Sequence, residues 1–149
     1  MDIRRILAPT DFSEYSRDAI RYAHELAQTF GATLSLLHVV ELPPYLGEFT
    51  PSTMGEDLLG DLERQAGAEL AQVLPQAQEA ATEVTRSVVT GSPSLKIVET
   101  AEAEHADLIV MATHGRTGLS HLMVGSVAER VVRTAPCPVL TIRPAAEKA

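Results

Sequence analysis

The stretch Ile3-Arg-Arg-Ile-Leu-Ala8, which runs into Pro9-Thr10-Asp11, decides the fold. It is short and apolar, as expected of a parallel strand buried in a sheet, and the proline that follows it marks a loop. Apolar residues then recur at helical spacing from Phe12 to Phe30, and Gly31 is a stop signal for that helix. A second apolar run, Thr33–Val40, repeats the strand pattern. A strand, a helix and a strand in this order predict a βαβ unit with parallel strands.

The remainder of the chain continues this alternation of strands and helices. Each connection between strands contains a helix, so the pattern predicts one α/β domain over residues 1–149. We expect an open, mostly parallel sheet with helices on both faces, and flexible ends at residues 1–2 and 144–149. The further predicted elements are a helix from Met54 to about Pro75, a strand Glu83–Thr90, a helix from Ser92-Pro93 to about His105, a strand Asp107–Ala112, a helix from about Ser126 to Thr134 and a strand Val139–Arg143.

Composition excludes several classes of protein. The chain has 149 residues, of which 45% are hydrophobic and 21% charged, as expected of a soluble globular domain. The net charge of −8 and the scattered basic residues argue against a nucleic-acid partner. The N-terminus lacks the pattern of a signal peptide, and no apolar stretch is long enough to span a bilayer. The single cysteine, Cys137, permits no internal disulfide, so we expect a cytoplasmic protein in which this residue is a small buried filler.

Three loops carry the candidate functional residues. In an open parallel sheet, ligands bind beyond the carboxyl ends of the strands, where the strand order reverses. The loops Pro9–Asp11, His38–Val40 and Met111–Val127 all leave such ends. The last contains Gly115, Gly118 and Gly125, and Gly125 directly precedes a helix start. Glycine lets backbone amides approach an anion, and a helix N-terminus offers unpaired amides, so this segment is a candidate phosphate-binding loop.

Simpler interpretations of the same residues stay open. Ser126 to Glu129 has the spacing of a capping box, which would occupy the helix end without a ligand. The glycines could be ordinary turn residues, and neither a Walker A motif nor Gly-x-Gly-x-x-Gly is present. Asp11 or Ser13 could be the N-cap of the first helix, and His38 is expected to be a satisfied core histidine.

The sequence resembles the universal stress protein family from Ile3 to about Arg143. Members of that family that bind ATP carry a glycine, a second glycine three residues on, and a third ten residues later that is followed by Ser or Thr. In this sequence those positions hold Ala112, Gly115, Gly125 and Ser126. The flanking motifs that also match are Ile6–Asp11, His38-Val39 and Ala135–Leu140.

This resemblance implies a Rossmann-like, adenine nucleotide alpha hydrolase-like fold with strand order 3-2-1-4-5. It implies a regulatory module that binds ATP, with Mg²⁺ held mainly by the phosphates, and a homodimer that pairs through the strand Val139–Ile142. Asp11 is expected to bond the ribose or adenine and Val39 to pack on the adenine, while Arg116 could reach a terminal phosphate or remain solvated. The residues implied in nucleotide binding are Pro9, Thr10, Asp11, Val39, Met111, Ala112, His114, Gly115, Arg116, Gly125, Ser126 and Val127.

Ala112 is the one departure from the family pattern. Its Cβ would penalise a positive φ or a close approach to the nucleotide, but it is harmless if φ is negative, which is our expectation. The alternative functions are a slow ATPase and a stress-associated dimer that binds no nucleotide. His114 and His121 could contact a phosphate or face solvent. The segment Leu42–Thr53, with its prolines and aromatic residues, could form a lid or a partner surface.

Overall fold

The computed structural model describes residues 1–42, 52–75, 79–115 and 124–144. Its sheet has five parallel strands in the order β3-β2-β1-β4-β5, which confirms the expected fold class. Element boundaries differ from the sequence prediction by one or two residues at most strands, while the second helix ends earlier, at Leu70 instead of near Pro75. The elements are β1 (Arg5–Pro9), α1 (Glu14–Phe30), β2 (Thr33–Val40), α2 (Ser52–Leu70), β3 (Val84–Thr90), α3 (Pro93–Ala103), β4 (Leu108–Ala112), α4 (Ser126–Thr134) and β5 (Val139–Ile142).

The strand order places a switch point between β1 and β4. The chain moves outward from β1 through β2 to β3, then returns across the sheet to β4 and continues to β5. In register, Ile6 of β1 lies beside Leu34 of β2 on one side and Leu108 of β4 on the other. The loops that leave the carboxyl ends of β1 and β4 therefore diverge to opposite faces, which opens a crevice between them.

Side chains that alternate along the strands build a core on each face of the sheet. Ile6 and Ala8 pack with residues of α1 and α2, whereas Leu7 between them packs with residues of α3 and α4. α1 and α2 connect the strands of the outward path, whereas α3 and α4 lead back across the sheet to β4 and on to β5. Helices on opposite faces for these opposite directions agree with right-handed crossovers throughout. In the described part of the chain, no helix is both long and apolar enough to cross a membrane.

The start of α1 resolves one open question and corrects one expectation. Ser13 is the N-cap, and its hydroxyl accepts a hydrogen bond from the Ser16 amide at 3.3 Å, so Asp11 is not the cap. Phe12, which the helical spacing assigned to this helix, instead precedes it with a left-handed φ of 65°. At the other end, Gly31 takes a φ of 64° and stops the helix as expected.

Candidate functional site

A cavity of ≈ 650 Å³ lies at the carboxyl edge of the sheet, at the switch point. This volume is within the range of small-molecule sites, roughly 300–1,000 Å³. Arg116 and His121 lie outside the described residues, as do Gly118 and most of the Leu42–Thr53 segment. All the remaining predicted site residues line the cavity: Pro9, Thr10, Asp11, Val39, Met111, Ala112, His114, Gly115, Gly125, Ser126 and Val127.

Thr10, at the end of β1, is buried and anchors the turn that leads into α1. Its amide donates to the Leu37 carbonyl at 2.8 Å, which extends the β1–β2 ladder by one bond. Its hydroxyl accepts from the Phe12 amide at 3.0 Å and lies 2.8 Å from the Ser16 hydroxyl. These bonds satisfy the Thr10 side chain within the turn, so this residue shapes the cavity wall more than it offers a polar group to a ligand.

Asp11 connects the loop after β1 to the loop after β4. Its Oδ1 accepts a hydrogen bond from the Ser13 amide at 2.9 Å. Its Oδ2 occupies the space beside Gly115, where a Cβ would come within 2.6 Å of that oxygen. Residue 115 must therefore lack a side chain for the carboxylate to keep this position. The sequence suggested that Gly115 lets amides approach a phosphate; the structure adds that the missing side chain leaves room for Asp11.

The helix α4 begins without a side-chain cap. Gly125 is the N-cap and makes no side-chain capping bond, which excludes the alternative of a capping box formed by Ser126 and Glu129. Ser126 is already helical, and the Glu129 carboxylate instead pairs with Arg133, one turn on, at 2.8 Å. The Gly125 amide donates to the Thr113 carbonyl at 2.7 Å, and a Cβ on Gly125 would lie only 3.0 Å from that oxygen. The first residues of α4 therefore line the cavity at a helix end without a capping side chain, as at helix ends that bind anions.

Ala112 lies in β4, where it pairs with Ile142 of β5. Among the described residues, the non-glycine positions with positive φ are Phe12 and His105. Ala112 therefore has the ordinary negative φ of a strand, as expected, and its methyl group brings no backbone penalty. The departure from the family pattern falls at a position where glycine's conformational freedom is not needed.

His38 and Phe12 form a stacked pair at the edge of the cavity. The rings are 4.2 Å apart between centroids, with 23° between their planes. The His38 Nδ1 atom donates to the Thr10 carbonyl at 2.8 Å, so the histidine has a hydrogen-bond partner as expected, but it is half-buried in the cavity wall and not in the core. An aromatic side chain in the left-handed region costs about 1–2 kcal/mol. Stacking contributes roughly 0.5–1.5 kcal/mol and offsets much of this cost.

His114, beside the loop after β4, is buried with 7% of its surface exposed. Its Nδ1 lies 2.8 Å from the Thr113 hydroxyl, and its ring is tilted against Tyr15 at 5.9 Å between centroids. Of the two alternatives left by the sequence, facing solvent is therefore excluded for His114.

The charged side chains among the described residues of the cavity wall are carboxylates. Asp11, Glu41 and Glu69 line it, and no lysine or arginine of the described part does. In the part of the chain that the structure describes, no cluster of three or more His, Cys, Asp or Glu side chains could hold a metal ion. Among the described residues, an anionic ligand must therefore be held by backbone amides and the α4 dipole. A cation bound to the ligand would add to this attraction.

The wall that sequence analysis missed comes from two helices. These helices cross over the sheet, and no sequence motif marks the residues that reach the cavity. Helical spacing shows only which residues share a face of each helix. Ala66 lies on α2, which packs on one face of the sheet through Leu70, whereas Ile97 of α3 belongs to the core of the other face, so the cavity spans both sides of the sheet's edge. The residues concerned are Leu62, Gln65, Ala66, Glu69, Pro93 and Ile97.

Comparison with known proteins assigns this fold to a family. The model of the universal stress protein family matches residues 2–143. The chain belongs to the universal stress protein family. A universal stress protein of Methanocaldococcus jannaschii is 38% identical over 141 residues, which cover 94% of this chain and 82% of that protein.

Two solved structures resemble this universal stress protein in fold. The hypothetical protein MJ0577 of the same archaeon is 28% identical, with a TM-score of 0.85 and coverage of 97% of this chain and 99% of that one. A universal stress protein solved in complex with cAMP is 21% identical, with a TM-score of 0.64 and coverage of 97% and 100%. At that lower identity the likeness concerns the fold alone.

Proposed function

We propose that this universal stress protein binds ATP in the cavity and acts as a regulatory nucleotide-binding module. The observation that carries the proposal is the pairing of two features across one cavity. The start of α4, capped only by Gly125, faces the cavity from one side, and the Asp11 carboxylate is held beside Gly115 on the other. The first suits phosphate and the second suits a sugar hydroxyl, which are the two polar parts of a nucleotide.

Electrostatics fixes the direction in which the nucleotide would lie. Phosphates are repelled by Asp11 and attracted by the amides of α4, so they belong at Ser126 and Val127. The ribose then reaches Asp11. The base falls at the end of β2, where half-buried Val39 packs with apolar residues of the α3–α4 face and offers a flat apolar contact. Mg²⁺ would be bound mainly by the phosphates. Arg116, which directly follows Gly115 in the sequence, is the cationic side chain proposed to reach them.

A regulatory role fits the described residues better than catalysis. Hydrolysis of ATP needs a positioned base for water and charge stabilisation at the terminal phosphate. Asp11 is bonded to the Ser13 amide and lies at the proposed sugar end, away from the terminal phosphate. Occupancy by ATP would instead link the loops after β1 and β4, so that nucleotide binding alters the surface they present to a partner.

The test is calorimetric titration with ATP–Mg²⁺, combined with the nucleotide content of the purified protein. We expect ATP binding in the full chain, and weaker binding in Asp11→Ala. Asp107→Ala is the matched control, because Asp107 also accepts backbone amides, those of Arg4 and Arg5, but at the amino edge of the sheet. The control should keep the ATP affinity. Absence of heat at millimolar ATP in the unmodified protein rules out the proposal, and rapid multiple-turnover release of phosphate would replace it with an ATPase.

We also propose that two copies pair through β5, in the cytoplasm. Among the described residues, β5 bonds to β4 on one side only and its other edge is unpaired. Leu140 on this strand is 39% exposed. An apolar edge strand is protected when it pairs with its own copy across a two-fold axis. Light scattering of the full chain at micromolar concentration should give twice the monomer mass, and a monomer there contradicts this assembly.

A further inference from the structure

We infer that Phe12 and His38 are positioning residues, which together form a brace that fixes the direction of the Asp11 carboxylate for its contact with the nucleotide. The inference rests on the proposed nucleotide binding and adds to it. It assigns a specific role to a histidine that the sequence marked only as a core residue, and to an aromatic residue that the sequence placed inside a helix.

One imidazole ring holds both neighbours of Asp11. The His38 Nδ1 atom donates to the carbonyl of Thr10, immediately before Asp11, at 2.8 Å. The face of the same ring stacks on Phe12, immediately after Asp11, at 4.2 Å. Because His38 pairs with Val88 of β3 and the preceding Leu37 pairs with Pro9 of β1, the backbone that carries the ring is fixed in the sheet. The His38 ring, which belongs to β2 and not to this loop, thus fixes the residues before and after Asp11.

The backbone conformation of Phe12 then determines where the Asp11 carboxylate points. Its φ of 65° turns the chain sharply between β1 and α1. Within that turn the Phe12 amide donates to Thr10 Oγ1, and the next amide, of Ser13, donates to Asp11 Oδ1. With one carboxylate oxygen bound to Ser13, the other is aimed at Gly115 across the cavity. An aromatic residue rarely adopts a left-handed φ, so the conformation needs the ring contact with His38 to hold it.

A brace and simple packing predict different results. If the two rings only pack, their removal lowers the stability of the fold and changes nucleotide affinity equally whether or not Asp11 is present. If they act through Asp11, their effect on affinity disappears once the carboxylate is gone, because residues that act through one another are not additive.

The experiment is a double-mutant cycle on ATP affinity, measured by calorimetry on the full chain. Phe12→Asn tolerates a left-handed φ but removes the ring, and Phe12→Tyr keeps the ring and should restore binding. We expect Phe12→Asn to raise the Kd for ATP roughly fivefold in the native background and less than about twofold in the Asp11→Ala background. Phe30→Asn is the matched control, since Phe30 is an exposed aromatic residue at the far end of α1. An equal rise in Kd in both backgrounds overturns the brace.

A second measurement does not depend on nucleotide binding. His38→Phe keeps a ring against Phe12 but loses the donor to Thr10, and it leaves the sequence around Ser13 unchanged. Hydrogen exchange of the Ser13 amide, which reports its bond to Asp11, should become roughly tenfold faster in this variant. Unchanged exchange overturns the inference whatever the ATP result. If the unmodified protein binds no adenine nucleotide but the Ser13 amide loses protection, the proposed function fails and the brace on Asp11 stands.

Discussion

Replacement of Gly115 by alanine tests whether this glycine serves Asp11. The added Cβ would lie 2.6 Å from Asp11 Oδ2, closer than carbon and oxygen atoms approach. Gly115 does not have a positive φ, so the alanine brings no backbone strain of its own. The carboxylate must therefore rotate away, which breaks its 2.9 Å bond to the Ser13 amide and removes it from the proposed ribose position.

The two consequences have different sizes. Loss of one half-buried hydrogen bond lowers the free energy of unfolding by about 1 kcal/mol, or the melting temperature by about 2–4 °C in a domain of this length. Loss of a charged hydrogen bond to the ribose lowers the binding free energy by about 1.5–3 kcal/mol, which is a rise of roughly ten- to hundredfold in Kd. The expected signature is a small loss of stability with a large loss of ATP affinity.

Calorimetric titration with ATP–Mg²⁺ and thermal unfolding measure these two quantities on the same samples. Gly67→Ala is the matched control, since a Cβ at this helical glycine meets nothing within 4 Å. It should gain stability by up to about 1 kcal/mol and keep its affinity. In an Asp11→Ala background, Gly115→Ala should have little further effect on Kd. Unchanged ATP affinity in Gly115→Ala, or an equal loss in both backgrounds, would refute the reasoning.

Three further predictions concern other parts of the molecule. Ala112→Gly should lower the free energy of unfolding by about 0.5–1 kcal/mol in urea titrations but change the ATP Kd less than twofold, since this strand position needs no glycine; a large gain in affinity would contradict this. Burial and, second, Asp107 raise the pKa of the Cys137 thiol. Because the thiolate is the reactive form, Cys137 should react with a thiol reagent more slowly than free cysteine at pH 8, and the rate should keep rising at more alkaline pH; a rate equal to that of free cysteine would contradict the shift. Leu140→Arg on β5 should give a monomer by light scattering without loss of the fold, and a persistent dimer would place the interface elsewhere.

The order and type of the elements could be predicted because each has a local pattern. Thr33–Val40 begins and ends where the apolar run predicted, and Gly31 stops α1 as the sequence indicated. Strand alternation and the rules for crossovers between parallel strands then limit the topology to few choices. The residues at the carboxyl ends of the strands follow from that topology, which is why the predicted site residues in the described part all line one cavity.

What could not be predicted depends on contacts between distant segments. Phe12 fits the helical spacing of α1, but Ser13 caps the helix after it, and Phe12 itself stacks on His38, from another strand. Ser126 and Glu129 have capping-box spacing, but spacing cannot decide whether Ser126 or Gly125 occupies the N-cap. That choice follows from the bond between the Gly125 amide and the Thr113 carbonyl, which brings the helix start back to the end of β4.

The three positions of the glycine motif have separate physical reasons, and this explains why one of them can change. Gly115 leaves space for a side chain, the Asp11 carboxylate. Gly125 leaves space for a backbone atom, the Thr113 carbonyl, and by lacking a side chain it leaves the start of α4 uncapped. Neither reason for glycine applies to Ala112, because it lies in β4 with a negative φ and pairs with Ile142. A motif counted as three equivalent glycines would treat Ala112 as damage to the phosphate site. The structure instead shows a separate need for glycine at Gly115, beside the Asp11 carboxylate, and at Gly125, beside the Thr113 carbonyl, and both glycines are present.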